Sequence, residues 1–101
     1  MAAKNKTRHT TLTPSAAKVV AILRRAGFRP HPGTINPRGG HGGTMRIKIT
    51  SEPGRTRIRV AGGGVQEVYL YGPVEPTRII DALQRHLGSG VVQQDGEGED
   101  H

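Results

Sequence analysis

The chain contains no cysteine, which excludes disulfide bonds and thiolate metal sites and leaves no argument for an oxidising compartment. It also lacks a hydrophobic run of the ~20 residues that a membrane-spanning helix needs. Its first six residues, MAAKNK, lack the apolar segment of a signal peptide. We therefore expect a cytoplasmic protein with no membrane partner. Its 101 residues are enough for one small domain.

Acidic residues are nearly absent from the first part of the chain. Residues 1–62 contain 13 Lys and Arg but a single acid, Glu52, whereas residues 63–101 contain two basic and seven acidic residues. A segment with this charge requires a polyanion, a charged membrane surface or an acidic protein nearby, and we favour nucleic acid. The excess of 11 Arg over 4 Lys is typical of a high-GC genome and favours a bacterial or phage origin.

Both ends of the chain are predicted to be disordered. Residues 1–12 are polar and basic without periodicity, so they should form a mobile arm. Residues 89–101 include four acids between positions 95 and 100 and should form an acidic tail. The single domain is therefore expected within residues 13–88.

Apolar periodicity and turn residues predict five elements between these ends, in the order α-β-β-β-α. These elements are a helix from Thr13 to Gly27, strands over residues 45–50, 56–60 and 65–71, and a helix from Glu75 to Gly88. Residues 29–43 hold three prolines and five glycines, which exclude regular helix or a central strand. We predict a mobile loop there.

The expected fold class is α+β, with a three-stranded antiparallel sheet and both helices packed on one face. A four-residue turn over Ser51–Gly54 pairs Arg46 with Arg59 and Lys48 with Arg57. The glycine loop that follows places Tyr69 opposite Arg57 and Tyr71 opposite Arg55. One face of the sheet is then apolar and the other is cationic, with both tyrosines among the arginines.

This cationic face is the candidate functional site. Like charges directly opposite on paired strands destabilise a sheet by roughly 0.2–1 kcal/mol per pair, so their repetition indicates an anion from outside. Phosphates suit the cations, and tyrosine rings could stack on unpaired bases. The predicted nucleic-acid-binding residues are Arg46, Lys48, Arg55, Arg57, Arg59, Tyr69 and Tyr71 of the sheet, Lys4, Lys6 and Arg8 of the arm, and Arg38 of the loop.

Two alternatives use the same surface. The arginines could simply keep a small protein soluble and block edge aggregation. They could also dock on an acidic patch of another protein, as in an inhibitor or adaptor of bacterial or phage origin. A second copy of the chain is a further possible partner, because the first or the third strand could present an exposed sheet edge.

Catalytic and metal-binding motifs have little support. His31 and His41 lie ten residues apart without a nearby Cys, Asp or Glu, so we expect no metal site. The chain has neither a GxxxxGKS phosphate loop nor a GxSxG elbow. We therefore expect no cofactor, and a binding protein rather than an enzyme.

The element order resembles that of double-stranded-RNA-binding domains over about residues 13–88, with AKVVAILRRAGF in the first helix and PTRIIDALQRHLG in the last. Two shorter segments, LRRAGF at 23–28 and GHG at 40–42, are similar to the HicA-type toxins of toxin–antitoxin pairs. Those toxins carry a Gly-Ser-His stretch with a catalytic histidine. The first resemblance implies RNA binding, and the second implies a ribonuclease in which His41 is catalytic.

Overall fold

The computed structural model describes residues 12–36, 44–88 and 90–94, which form an α+β fold. The elements are α1 (Pro14–Arg25), β1 (His31–Asn36), β2 (Arg46–Glu52), β3 (Arg55–Ala61), β4 (Val65–Tyr71), α2 (Pro76–Leu87) and β5 (Val92–Gln94). The strands form one mixed sheet in the order β1-β4-β3-β2-β5; β5 pairs in parallel with β2, and the other pairs are antiparallel. Within the described residues, no helix is long and apolar enough to cross a membrane.

The predicted three-stranded antiparallel sheet is wrong, because two further strands extend it at its edges. β1 arises within residues 29–43, where we expected a loop, and β5 arises within residues 89–101, where we expected a tail. Proline excludes a central strand but is tolerated at an edge, and β1 is an edge strand with an irregular register between Pro32 and Ile35. β5 is only three residues long, too short for its alternation to stand out, yet its Val92 is buried in the core.

Local chemistry sets both ends of α1. The Thr13 hydroxyl accepts a hydrogen bond of 3.0 Å from the Ala16 backbone N–H, as expected for an N-cap. At the other end, the Phe28 N–H donates to the Leu23 carbonyl at 2.9 Å across Gly27, whose φ of +97° favours glycine. The predicted termination of this helix at Gly27 is confirmed.

The hydrophobic core lies between the helices and one face of the sheet. Its large, fully buried side chains include Leu23 of α1, Ile47 and Ile49 of β2, Ile58 of β3, Val68 and Leu70 of β4, and Ile79 and Leu83 of α2. Full burial of such a side chain contributes roughly 1.5–3 kcal/mol. Because successive strand residues point to opposite faces, the residues between them lie on the other side of the sheet, which no described helix covers and which we term the open face.

The β2–β3 turn is shorter than predicted, and this shifts the pairing by two residues. The loop consists of Pro53 and Gly54 alone, and a proline followed by a glycine with φ of +78° is the combination that a type II turn uses. Arg46 therefore pairs with Ala61 instead of Arg59, and Lys48 pairs with Arg59 instead of Arg57. An even shift keeps every side chain on its face, so the cationic face survives the correction.

The predicted register of the next pair of strands is confirmed. Arg57 lies opposite Tyr69, and Arg55 lies opposite Tyr71. The three glycines at 62–64 all have positive φ and make the reversal between these strands. Both tyrosines consequently lie on the same face as the arginines.

A buried glutamine connects α1 to the edge of the sheet. Gln66 is fully buried, and its Oε1 accepts a hydrogen bond of 3.0 Å from the Thr13 backbone N–H. Its Nε2 donates to the Gly33 carbonyl of β1, also at 3.0 Å. An amide at this position supplies both the acceptor and the donor that the two backbone groups need.

The strands that we expected at the sheet edges are interior. Residues 45–50 and 65–71 fall in β2 and β4, each of which has a neighbour on both sides, and the edges are β1 and β5 instead. A second copy therefore could not pair with β2 or β4 as anticipated. Homodimer formation stays a prediction.

Candidate functional site

The open face combines many cations with few acids. Its strand residues include five cations and two carboxylates, which leave a formal charge of +3. The cations are Arg46, Lys48, Arg55, Arg57 and Arg59, and the acids are Glu52 and Glu67. The charges are unevenly distributed along the strands.

At the end of the open face near the β2–β3 turn, the arginines bind carboxylates. Arg55 Nε lies 2.7 Å from Glu52 Oε1, and Arg57 Nη2 lies 3.3 Å from Glu52 Oε2. Arg57 Nη1 lies 3.7 Å from Glu67 Oε2, and the Tyr69 hydroxyl donates a hydrogen bond to Glu67. We call Glu52, Arg55, Arg57, Glu67 and Tyr69 the paired cluster; its two cations and two carboxylates cancel.

Hydrogen bonds within the paired cluster also raise the pKa values of two of its side chains, Tyr69 and Arg55. The bond from Tyr69 to Glu67 raises the pKa of the phenol, since only the neutral hydroxyl can donate, and partial burial adds to the effect. The nearby cations Arg55 and Arg57 oppose it. The bond to Glu52 likewise raises the pKa of Arg55. Tyr69 is thus a neutral donor, and Arg55 is a fixed cation.

The other end of the open face carries the cationic cluster, which consists of Arg46, Lys48 and Arg59. All three side chains are exposed, and Lys48 lies between Arg59 of β3 and Gln93 of β5. Strand geometry separates the Cβ atoms of Lys48 and Arg59 by about 5 Å and those of Arg46 and Lys48 by about 7 Å. Arg46 and Arg59 form no ion pair with any residue of the described ranges.

Three rings meet at the edge of the open face beside β1, and we call His31, Tyr69 and Tyr71 the ring cluster. The His31 and Tyr71 rings meet edge to face with centroids 5.1 Å apart, and the Tyr69 and Tyr71 centroids are 6.2 Å apart. The guanidinium of Arg55 lies over the Tyr69 ring, 4.3 Å from its centroid. Among the described residues, Tyr71 is the only large hydrophobic side chain that is exposed, at 56%.

The Tyr69 ring also lies close against the backbone of β1. A Cβ atom at Gly33 would be 2.9 Å from Tyr69 Cε2 and 3.1 Å from the Glu67 carbonyl oxygen, so any other residue would displace the ring or the strand. Glycine therefore permits the close approach at this edge. The position of Tyr69 is set from three sides, by Gly33, Arg55 and Glu67.

The structure brings together the seven predicted residues of the sheet on one face, where they belong to the paired, cationic and ring clusters. The predicted binding residues Lys4, Lys6, Arg8 and Arg38, and the candidate catalytic His41, lie outside the described residues. His31, which pairs with Tyr69 in β1, was not predicted to lie on this face. The signal was present, since Thr34 and Ile35 are good strand formers and proline is acceptable at an edge.

Glu52 was not predicted as part of the site either, because the predicted four-residue turn over Ser51–Gly54 placed it outside the strands. It is the last residue of β2, directly opposite Arg55, and its carboxylate binds two arginines. The dipeptide Pro53-Gly54, which fits a two-residue type II turn, was the available signal. Recognising that turn would have separated Arg55 and Arg57, which bind Glu52, from the other cations of the open face.

In the part of the chain that the structure describes, no three His, Asp or Glu side chains lie close enough together to hold a metal ion. The chain matches no protein-family model, no curated protein and no solved structure. The resemblances to double-stranded-RNA-binding domains and to HicA-type toxins therefore stay predictions.

Proposed function

We propose that the protein binds nucleic acid through its open face, with the cationic cluster contacting phosphates. The observation that carries this proposal is the group of Arg46, Lys48 and Arg59, three exposed cations side by side, of which the two arginines have no carboxylate partner among the described residues. An arginine that is not already bound to an acid offers its full set of donors to a phosphate.

The pairing of Lys48 with Arg59 supports an external anion. Like charges directly opposite on paired strands cost roughly 0.2–1 kcal/mol, and a bound phosphate would remove that repulsion. The paired cluster shows that the same face can balance its cations internally, with Glu52 and Glu67. Arg46 and Arg59 have no such carboxylate partner among the described residues, and this favours a polyanionic ligand.

The proposal narrows the sequence-based set of phosphate-binding residues. Arg55 and Arg57 already bind carboxylates, so they contribute less to phosphate binding than the cationic cluster does. We retain the prediction of a cytoplasmic protein of bacterial or phage origin, which would meet nucleic acid in its own compartment.

Removing Arg46 and Arg59 should lower the affinity for nucleic acid and reduce its dependence on salt. We expect the Arg46→Ser/Arg59→Ser variant to lose about 10- to 100-fold in affinity at low salt. Each phosphate contact adds about 0.7–0.9 to the slope of log affinity against log salt, so the slope should become shallower by about 1.5. Fluorescence anisotropy of labelled single-stranded RNA, duplex RNA and duplex DNA across a salt series measures both quantities.

The matched control is Arg24→Ser/Arg25→Ser, which removes the same charge from exposed positions of α1 on the other side of the sheet. It should keep most of the affinity. Equal losses in the two variants would show that net charge alone drives binding and would contradict the assignment to the open face. No binding of any of the three polymers by the parent protein would overturn the proposal and direct attention to an acidic protein partner.

The ribonuclease alternative depends on His41, which lies outside the described residues. The geometry of the open face therefore does not bear on it. Under that alternative, His41→Ala would abolish metal-independent RNA cleavage while the fold stays intact. Unchanged cleavage by this variant would remove the resemblance to HicA-type toxins as a guide to function.

A further inference from the structure

We infer that the ring cluster stacks on unpaired bases, so that the ligand of the open face is single-stranded nucleic acid. This inference rests on the proposed function, because it assumes that a polynucleotide reaches this face. Base stacking would be a second kind of contact, at a different part of the open face from the phosphate contacts. The cationic cluster would hold phosphates, and His31 with Tyr71 would hold bases.

The ring cluster is built so that one ring is fixed and the others stay available. Tyr69 lies between the Arg55 guanidinium and the β1 backbone at Gly33, and its hydroxyl is bound to Glu67. The Tyr71 ring lies beside the rings of both Tyr69 and His31, yet more than half of its surface is exposed. Tyr69 and His31 can therefore hold Tyr71 in place while leaving its ring accessible.

Tyr71 presents an aromatic ring to solvent. No other large apolar side chain of the described residues is exposed. A purine or pyrimidine offers a flat π-surface that can cover the ring, and base–aromatic stacking is tolerant of sequence. The imidazole of His31 extends the same surface with a second ring.

Duplex nucleic acid cannot use such a platform, because its bases are already stacked on each other and present only their edges in the grooves. A single strand has its base faces available. The described part of the open face is a sheet surface, and a groove reader would instead insert a helix or a two-stranded ribbon into the duplex. The exposed rings therefore favour the single strand over the duplex.

The two contact areas lie at opposite ends of the same strands. The row that contains Arg55 and Tyr71 is six residues along β3 from the row that contains Arg46 and Ala61, which corresponds to about 20 Å. The paired cluster overlaps the ring cluster at that end, because Glu52 and Arg55 lie in the same row as Tyr71 and the two clusters share Tyr69. A bound strand would thus run along the sheet, with phosphates held at one end and bases at the other.

The test compares a fluorescein-labelled oligouridylate and oligothymidylate with RNA and DNA duplexes of equal length. We expect the single strands to bind more tightly than the duplexes. Tyr71→Ala should lower single-strand affinity by about 5- to 150-fold, as measured for loss of one stacking contact. Because no phosphate contact is lost, the salt slope should stay as in the parent protein. The RNA and DNA arms show which single strand is preferred.

Tyr71→Phe is the matched variant, since it keeps the ring and removes only the hydroxyl, and it should keep most of the affinity. His31→Ala should give a second, smaller loss at an exposed position. Equal or tighter duplex binding, together with an unchanged affinity of Tyr71→Ala, would overturn this inference. Loss of affinity in Arg46→Ser/Arg59→Ser would then still support phosphate binding, so the two failures are distinguishable.

Discussion

The open face contains two groups of arginines with different surroundings. In the paired cluster, Arg55 and Arg57 bind Glu52 and Glu67 at 2.7–3.7 Å. In the cationic cluster, Arg46 and Arg59 form no such contact with any described residue, although they lie on the same strands as those arginines or next to them. On one surface, therefore, some arginines form ion pairs within the fold and others have no carboxylate partner among the described residues.

The two clusters are expected to have different roles: the paired cluster stabilises the fold, and the cationic cluster is proposed to bind the ligand. Partly exposed ion pairs contribute about 0–1 kcal/mol each, and those of the paired cluster also connect β2, β3 and β4 across the sheet. Arg46 and Arg59 form no ion pair with a described residue, and Arg59 lies directly opposite the like charge of Lys48. A count of arginines on a sheet face therefore overstates the surface available to a ligand.

Removing the acids should convert the paired cluster into a second cationic cluster. In Glu52→Gln/Glu67→Gln, Arg55 and Arg57 lose their partners and become available to phosphates. We expect affinity for nucleic acid to rise about tenfold at low salt, with a salt slope steeper by about 1.5. The measurement is the same anisotropy titration across a salt series.

The matched control for this variant is Glu75→Gln/Asp81→Asn, which removes two acids from exposed positions at and within α2. It changes the net charge equally but leaves the open face intact. A similar gain in both variants would mean that total charge, and not the pairing on the open face, limits binding.

Replacing one arginine in each cluster should separate the two roles. The arginine of the paired cluster should contribute more to stability, and the arginine of the cationic cluster should contribute more to binding. Arg57→Thr loses two carboxylate contacts and should lower the free energy of unfolding by about 0.5–1 kcal/mol, or roughly 2–8 °C in Tm. Arg46→Thr loses none to the described residues and should change stability by less than about 0.5 kcal/mol while weakening binding more. Thermal unfolding by circular dichroism measures the first effect. Equal Tm values for the two variants would erase the distinction between the clusters.

The smallest expected effect is on the titration of Tyr69. Its pKa is raised by the hydrogen bond to Glu67, so the protonated phenol is favoured in the folded state. The resulting stabilisation is present below the unfolded pKa of about 10 and is lost as pH rises through the raised pKa. Glu67→Gln should lower the pKa of Tyr69 toward its ordinary value.

Ultraviolet absorbance near the phenolate band measures this titration. In a Tyr71→Phe background only Tyr69 contributes, because the chain has two tyrosines and no tryptophan. The comparison is then between Tyr71→Phe and Tyr71→Phe/Glu67→Gln. An unchanged titration curve would show that the hydroxyl is not bound to Glu67 in solution.

Much of the open face could be predicted from the sequence, because alternation along a strand is a local property. The period of two in RIKIT and in TRIRV assigns each side chain to a face whatever the exact register. That is why the seven predicted sheet residues share one surface, even though the β2–β3 pairing shifted by two.

The edge strands could not be predicted in the same way, because their stability comes from neighbours distant in sequence. β1 is held by backbone pairing to β4 and by Gln66, and β5 is held by β2 and by burial of Val92. Neither has a strong pattern of its own. The proline-rich composition of one and the shortness of the other pointed away from strands, so His31 was left out of the candidate site.

The amide of Gln66 couples the core side of the sheet to the edge strand of the candidate site. It joins Thr13 and Gly33, which lie 53 and 33 residues away along the chain. One buried side chain therefore bridges the start of α1 and β1, the strand that carries His31. A substitution at Gln66, on the side of the sheet away from the open face, should therefore shift β1 and alter ligand recognition without touching the ligand.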